Sequence, residues 1–339
     1  MVSLKYLLFL MLILFTVAYD SSRLLSSRDA RTLPELFGVD DFWRKARGLS
    51  TKIAILDTGI DSRLIGETFK NVVTIEDFSN ENSTEDNFGH GTFITGIIAG
   101  HDSYCPGFAP QAQLHILKIF NKHGGNIHSQ LETRNDWLIA ALDRAKELKV
   151  DLINLSNGGL YRNDTQLQEK IEELVNEGIV VVAAAGNEGP EYGTINSPAD
   201  LPGVIAVGSV SFINKKVSSF SSRGFAIYNQ SKGIVLAKPD ALTFGEGIMA
   251  VDKDGTCKSR SGTSCSAAIL CGVIAAAISF KRIINESYQL TPGQYLFSTS
   301  IDLKSSYLNL LPFSMNTPSM IKVWAFYTSL AFLGSLKRK

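Results

Sequence analysis

The chain has few cysteines and no excess charge of either sign. It carries 4 cysteines in 339 residues, and 33 lysines plus arginines balance 33 aspartates plus glutamates. So few cysteines, unevenly spaced, exclude a disulfide-built scaffold and a cysteine-held zinc site. The charge balance leaves no overall field that would attract a polyanion, so we expect no nucleic-acid partner.

The four cysteines fall into two pairs. Cys265 and Cys271 lie on one predicted helix, where small buried thiols are the expected state. Cys105 and Cys257 would be able to pair in an oxidising compartment if the fold brought them together. The sequence alone leaves that pairing open.

Two signatures of other hydrolases are also missing. There is no His-Glu-x-x-His, the helical zinc motif of metalloproteases, and His123 and His128 fall in a polar stretch. There is no Gly-x-Ser-x-Gly either, which α/β-hydrolase esterases place before an acid and a histidine. These absences argue against a metalloprotease and against an esterase of that fold.

The N-terminus has the pattern of a secretory signal peptide. Lys5 precedes an apolar run from Tyr6 to Val17, and the small residue Ala18 follows near a cleavage point. This pattern predicts a signal peptide at residues 1–19, with a buried N-terminal helix as the alternative. The mature protein is then expected in the lumen of the secretory pathway or outside the cell.

Asparagine triplets agree with that location. Four Asn-x-Ser/Thr acceptors lie in polar, loop-like surroundings, which predicts a glycoprotein; they begin at Asn82, Asn163, Asn229 and Asn285. A fifth triplet begins at Asn154, but it ends an apolar strand. We therefore expect Asn154 to be buried and unmodified.

The C-terminal part loses the regular pattern after residue 280. Residues 281–320 are predicted to be an irregular extension, and residues 321–336 are mostly apolar and followed by three cations. Sixteen residues are few for a membrane span, although Lys322 would be able to snorkel and the cations suit a cytoplasmic side. A membrane anchor and a surface helix packed on the domain both remain open.

Between residues 33 and 280, short apolar runs alternate with helical stretches. This alternation is typical of an α/β fold with a doubly wound, mainly parallel sheet flanked by helices. Apolar residues at helical spacing predict helices at residues 136–148 and 166–176, the second stopped by Gly178. The predicted strands are residues 53–56, 114–117, 152–155, 179–182 and 204–207.

Candidate catalytic residues occur where such a fold places its active site. Asp57 ends the apolar strand 53–56 and precedes Thr58-Gly59, which puts a carboxylate at the carboxyl edge of the sheet. His90 lies between two glycines just before an apolar helix. Either residue alone has an ordinary structural interpretation, but together they match the acid and base of acyl transfer.

The nucleophile and the oxyanion donor have similar candidates. Ser264 follows Gly262-Thr263 and starts a predicted helix, where free backbone N–H groups favour developing negative charge. Asn187 follows Gly186 after a buried strand, so its amide is placed to donate to an oxyanion. An ordinary helix cap at Ser264 and an ordinary turn at Asn187 are the alternatives.

Taken in order, these motifs resemble the subtilase family of serine peptidases over residues 33–280. The resemblance implies a serine endopeptidase acting on polypeptides through Asp57, His90 and Ser264, with Asn187 in the oxyanion hole. It further implies a substrate cleft lined by Ser156, Asn157, Gly158 and Gly159, which would pair with the peptide backbone as an added strand. It implies no cofactor for catalysis and allows a structural calcium ion whose ligands the sequence does not name.

Further motifs are most similar to one membrane-anchored branch of the family that works in the secretory pathway. Those motifs are Gly89 to Phe93, Gly107 to Pro110, Leu114 to Ile116, Tyr192 to Thr194, Pro198 to Asp200 and Phe220 to Gly224. Three features depart from the family: Ala268 replaces its usual proline, little chain precedes Asp57 to hold a prodomain, and the C-terminal region is short. These departures leave an alternative, an inert subtilase fold that acts as a luminal binding protein.

Overall fold

The computed structural model describes residues 46–122, 131–159, 164–214, 216–229 and 234–288. The predicted signal peptide 1–19 and candidate anchor 321–336 lie outside these residues, as do residues 289–320 of the predicted extension. Those predictions are therefore untested.

The described residues contain thirteen strands and four α-helices. The strands are β1 Lys52–Asp57, β2 Val72–Asp77, β3 Gln113–Lys118, β4 Asn121–Lys122, β5 Leu131–Glu132, β6 Leu152–Leu155, β7 Val180–Ala184, β8 Val204–Val210, β9 Gly224–Asn229, β10 Ile234–Lys238, β11 Ala241–Phe244, β12 Ile248–Val251 and β13 Cys257–Arg260. The helices are α1 His90–Ala99, α2 Asn135–Glu147, α3 Thr165–Asn176 and α4 Thr263–Tyr288.

Seven of the strands form one sheet in the order β11-β8-β7-β6-β1-β3-β2, and every pairing in it is parallel. The remaining six form the antiparallel pairs β4–β5, β9–β10 and β12–β13. The predicted α/β class with a parallel sheet is confirmed. The order of the strands reverses at β1. The strands that follow β1 in the chain, β2 and β3, lie on one side of it, and β6, β7, β8 and β11 lie on the other.

Helices cover both faces of the sheet because its strands are apolar on both sides. Along β1, Ile53 and Ile55 join the core beneath α1 and α4, whereas Ala54 and Leu56 join the core beneath α2 and α3. All four side chains are fully buried. Burying a large aliphatic side chain stabilises a fold by roughly 1.5–3 kcal/mol, so each face contributes substantially.

The predicted elements all occur, and several others were not predicted. The five predicted strands correspond to β1, β3, β6, β7 and β8, and the two predicted helices to α2 and α3. Gly178 follows α3 with φ +89°, the left-handed conformation expected of a stop signal. The edge strands β2 and β11 were missed because they are only partly buried and lack a continuous apolar run.

Helix α4 is mainly apolar until Lys281, and its segment Thr263–Ile283 is long enough to cross a membrane by length and composition alone. Within the protein 83% of an 18-residue stretch of this segment is buried, as in the core helix of a folded domain. It continues through Ala268, which is fully buried. Alanine at the position of the usual proline therefore leaves the helix continuous.

Candidate active site

Asp57 supplies a buried carboxylate at the carboxyl end of β1. Its side chain is fully buried, and Oδ1 accepts a hydrogen bond of 2.8 Å from the Thr58 backbone N–H. The same oxygen lies 2.7 Å from Nδ1 of His90. Among the described residues, Oδ2 has no hydrogen-bond partner. The carboxylate thus has one strong partner that can carry positive charge, the imidazole.

His90 is the first residue of α1, and the glycines beside it explain its position. Gly89 precedes the helix with φ +88°, a conformation that favours glycine. A Cβ atom at Gly91 would lie 2.3 Å from the carbonyl oxygen of Gly59. Only glycine therefore lets the helix start pack directly on the turn that follows Asp57.

The electrostatic surroundings of His90 favour its protonated form. Burial of the ring acts against the charge, but the negative charge of Asp57 and its hydrogen bond outweigh this effect. Asp86 adds to the increase and Arg260 opposes it. The net result is a His90 pKa above its ordinary value. A base in this setting is well placed to accept a proton during a reaction.

Ser264 and Asn187 lie beside each other at the start of α4. The Asn187 Oδ1 atom accepts from the Thr263 N–H at 2.9 Å and the Thr263 hydroxyl at 3.1 Å, which fixes the amide and leaves Nδ2 as the outward donor. A Cβ atom at Gly262 would lie 3.0 Å from Ser264 Oγ and 3.7 Å from Asn187 Nδ2. Both side chains therefore border the same small space.

The two pairs of predicted residues are not joined by a hydrogen bond. Within the described part of the chain, the His90 ring bonds to Asp57 through Nδ1 and not to Ser264 Oγ. Catalytic hydrogen bonds are often long when no substrate is bound and tighten in the complex. Of the two hydrogen bonds expected within the triad, the described residues thus contain the one between Asp57 and His90 and lack the one between His90 and Ser264.

Three of the four residues predicted to line a substrate cleft make hydrogen bonds within the protein. Ser156 donates to the Ser264 carbonyl oxygen at 2.9 Å, and Asn157 donates to the Leu56 carbonyl oxygen at 2.7 Å. Gly159 exchanges two backbone hydrogen bonds with Ser197. The side chains of Ser156 and Asn157 and the backbone of Gly159 therefore hold this segment to its neighbours.

Gly158 is the exposed member of that segment. A Cβ atom there would lie 2.9 Å from Asn196 Cβ and 3.2 Å from the Ser197 carbonyl oxygen. The backbone thus passes close to its neighbour on one side while facing solvent on the other. Gly158 is thus the most solvent-exposed residue of the segment from Ser156 to Gly159.

Two buried charged residues beside the site were not predicted. Lys118 ends β3, and its ammonium donates to the carbonyl oxygens of Thr58 at 2.8 Å and Glu85 at 3.0 Å. Asp86 is buried four residues before His90. A lysine that directly follows the apolar pair Ile116-Leu117 was an available signal for Lys118. The sequence holds no comparable signal for Asp86, which lies in a polar loop.

The cysteines behave as two pairs. Cys105 and Cys257 form a disulfide with a Cα–Cα distance of 6.2 Å, which links the loop after α1 to β13. Cys265 and Cys271 are free and buried on α4, as predicted, and burial raises the pKa of Cys265 to about 12 and that of Cys271 further. Neither free thiol is suited to act as a nucleophile.

Groups of side chains close enough together to hold a metal ion are scarce in the described part of the chain. The one cluster there consists of Asp102, Cys105 and Cys257, with ligand atoms within 4.8 Å of one another. Two of its members are joined in the disulfide, and Ca²⁺ takes oxygen ligands. This cluster does not fit a calcium ion, so a structural calcium ion stays an untested expectation.

Comparisons with known proteins agree with this geometry. The model of the subtilase family matches residues 48–301. Site-1 protease of Rattus norvegicus, whose full name is membrane-bound transcription factor site-1 protease, is 35% identical over 260 residues, which cover 76% of this chain and 24% of the relative. The chain thus spans about a quarter of the length of this relative.

Shorter relatives are matched over most of their length. The major intracellular serine protease of Bacillus subtilis (strain 168) is 34% identical over 277 residues, which cover 77% of this chain and 79% of the relative. Among solved structures, the prenylagaramide maturation protease PagA superposes with a TM-score of 0.59 at 28% identity, covering 73% of this chain and 82% of that one.

The predicted likeness to the site-1 branch is therefore confirmed, and so is the subtilisin-like fold. The motif spacing, the parallel sheet and the family match over most of the chain point to the same conclusion. The chain belongs to the subtilase family of serine endopeptidases.

Proposed function

We propose that Asp57, His90 and Ser264 hydrolyse peptide bonds through an acyl-enzyme, with Asn187 as an oxyanion donor. The observation that carries this proposal is the 2.7 Å contact between the fully buried Asp57 carboxylate and Nδ1 of His90. This contact fixes the ring with Nε2 as the free nitrogen. An imidazole held in that way is the base that a serine nucleophile requires.

In the first step, Ser264 Oγ attacks the scissile carbonyl carbon while His90 Nε2 accepts the hydroxyl proton. Asp57 stabilises the resulting imidazolium, and its carboxylate remains unprotonated. The carbonyl oxygen becomes an anion beside Asn187 Nδ2 and the Ser264 backbone N–H, which lies in the first turn of α4 and lacks an intrahelical partner. His90 then gives its proton to the leaving amine.

In the second step, water replaces the amine and attacks the ester carbon. His90 accepts a proton from this water, and the same two donors stabilise the second oxyanion. Ser264 takes the proton back when the ester bond breaks, which restores the enzyme. No cofactor takes part in either step.

The substrate is a polypeptide in extended conformation. Pairing along Gly158 would add the peptide as a strand to the cleft wall, so that main-chain hydrogen bonds supply affinity. Such pairing places the scissile bond at the shared space between Ser264 and Asn187.

A fluorophosphonate probe tests the proposal directly. We expect the purified protein to be labelled at Ser264 and to cleave a mixed peptide library, whereas Ser264→Ala loses both activities and keeps its thermal unfolding temperature. Ser261→Ala, an exposed serine three residues away, is the matched control. A folded wild-type protein that neither reacts nor cleaves would contradict the proposal and favour the alternative, an inert subtilase fold.

We further propose that the mature protein faces the lumen of the secretory pathway and carries N-glycans, held by its C-terminal segment. The N-terminal apolar run, the similarity to site-1 protease, whose name links it to a membrane-bound transcription factor, and the Cys105–Cys257 disulfide support this location. Asn82 is exposed, as an acceptor must be, whereas Asn154 is fully buried. Of the remaining acceptors, Asn229 ends β9 and Asn285 lies in α4, so neither occupies the loop that the sequence predicted, and Asn163 lies outside the described residues.

Cell fractionation with glycosidase digestion separates the possibilities for location. An anchored luminal glycoprotein stays in the pellet after carbonate washing and shifts in mass with glycosidase. A peripheral one is released but still shifts. A cytosolic protein without a shift would contradict the location and leave the proposed chemistry unaffected.

A further inference from the structure

A second buried carboxylate, that of Asp86, lies beside the proposed site and takes no part in the mechanism above. Its side chain accepts five hydrogen bonds within the described residues. Oδ1 accepts from the Thr58 hydroxyl at 2.7 Å and the N–H groups of Phe88 at 3.2 Å and Gly89 at 2.6 Å. Oδ2 accepts from the N–H and hydroxyl of Thr92 at 2.8 and 2.7 Å.

These bonds surround His90 on both sides. Gly89 lies directly before His90 and Thr92 lies two residues after it, and each donates its backbone N–H to Asp86. The N–H of Gly91 donates to the Thr58 hydroxyl at 2.8 Å, and that hydroxyl donates in turn to Asp86. The backbone that carries the imidazole is therefore held by one carboxylate, directly at two residues and through Thr58 at a third.

The same residue connects the acid to the base. Thr58 donates its N–H to Asp57 Oδ1 at 2.8 Å while its hydroxyl donates to Asp86. Displacement of the Asp86 carboxylate would therefore move the turn that presents Asp57 as well as the helix start that presents His90. A misplacement of about 1 Å in such a pair can slow catalysis by about 100-fold.

Asp86 also brings a negative charge that no described cation pairs with. All five donors are neutral, and the described ion pairs do not include Asp86, so its carboxylate is balanced by hydrogen bonds and by the positive end of α1. The charged groups that act on His90 are Asp57 and Asp86, which raise its pKa, and Arg260, which lowers it. Asp86 is the member of this set that neither bonds to the imidazole nor pairs with a cation.

We propose that Asp86 is a positioning residue for the reaction, holding His90 against Asp57 through Thr58 and supplying a second negative charge that favours the imidazolium. This inference rests on the proposed function. It goes beyond a helix cap, because a cap stabilises α1 without changing how the base titrates.

Three variants separate the two roles. Asp86→Asn removes the charge and cannot accept from the Thr92 N–H and the Gly89 N–H at once. Thr58→Val removes the bridging hydroxyl but keeps the charge, and Thr58→Ser restores the hydroxyl. Asp164→Asn is the matched control, since Asp164 also accepts a backbone N–H at a helix start, that of α3.

The measurements are kcat and KM for a peptide substrate between pH 5 and 9, with thermal unfolding of each variant. We expect Asp86→Asn to lower kcat about tenfold or more with little change in KM, and to move the acid limb of kcat/KM to lower pH. Thr58→Val should lower kcat without moving that limb, Thr58→Ser should recover activity, and Asp164→Asn should match wild type.

Several results would overturn the inference. One is an unchanged acid limb in a folded Asp86→Asn protein, which would reduce Asp86 to a cap. If Asp86→Asn does not fold, wild-type kcat in Thr58→Val would contradict the positioning role. Failure of the proposed function is a different result, because the wild-type protein would then show no hydrolysis and no probe labelling.

Discussion

The two halves of the site are built on different physical principles. The acid–base half, formed by Asp57 and His90, is surrounded by buried charges, with Asp86 and Lys118 holding its loops. The nucleophile–oxyanion half, formed by Ser264 and Asn187, is held by neutral hydrogen bonds at the start of α4. In the first half, nearby charges raise the pKa of His90, whereas the second half presents the oriented amide of Asn187.

This difference follows from what each half must do. A base must change its charge during the reaction, so nearby fixed charges alter how readily it does so. An oxyanion hole keeps its own charge constant and needs only donors that are already aligned. The proposed site therefore combines one half whose base responds to nearby charges with another half that presents donors oriented by hydrogen bonds.

Removal of the base should cause the largest loss. We expect His90→Ala to lower kcat on the order of 10⁶-fold, the loss seen when the histidine or the serine of the subtilisin triad is removed, because these residues act as a unit. Steady-state hydrolysis of a peptide substrate measures this. His101→Gln is the control, and a loss of tenfold or less in His90→Ala would contradict its role as base.

Removal of the oxyanion donor should have a smaller and more selective effect. Asn187→Ala is expected to lower kcat about 10²–10³-fold with little change in KM, because the amide is needed only once the oxygen carries charge. The exposed Asn214→Ala is a suitable control. An effect on KM alone would mean that Asn187 binds the ground state.

The disulfide ties the two halves together, since Cys105 follows α1 and Cys257 starts the strand that leads to Ser264. Its ends are 152 residues apart, so the unfolded chain loses considerable freedom when they are joined. We expect Cys105→Ser with Cys257→Ser to lower the free energy of unfolding by about 3–4 kcal/mol. Urea unfolding measures this, and reduced wild type should behave alike. A change below about 1 kcal/mol would contradict it.

A buried histidine without a carboxylate partner gives the smallest effect and the sharpest contrast with His90. His115 is bonded to the Thr74 hydroxyl, and burial, aided by Lys52 and Arg144, lowers its pKa although Glu76 opposes this. The unfolded state therefore binds the proton first, and the His115 contribution to stability is present above about pH 6.5 and lost as pH falls below it.

Urea unfolding at several values between pH 7.5 and 5 tests this sign. We expect the stability of His115→Gln to decline less steeply with acid than that of wild type, although His101, whose pKa is also lowered by burial, retains part of the slope. Equal slopes in the two proteins would mean that His115 does not titrate differently on folding.

Much of this protein was accessible from local sequence patterns. The five central strands, the helices α2 and α3 and the placement of Asp57, His90 and Ser264 at element ends depend on apolar periodicity and on glycines, which act within a few residues. The same patterns missed β2, β11 and the three antiparallel pairs, because short, half-exposed strands leave a weak apolar signal.

The sequence by itself determined which residue types stand at the carboxyl edge of the sheet, because strand and helix ends are fixed by short-range preferences. Only the tertiary structure decided what those residues touch. Three contacts show this: the 2.7 Å contact of His90 with Asp57, the hydrogen bond of Thr58 with Asp86 and the disulfide of Cys105 with Cys257. They join residues that are between 28 and 152 positions apart in the chain. Such contacts depend on how the strands are ordered in the sheet, which no local pattern contains.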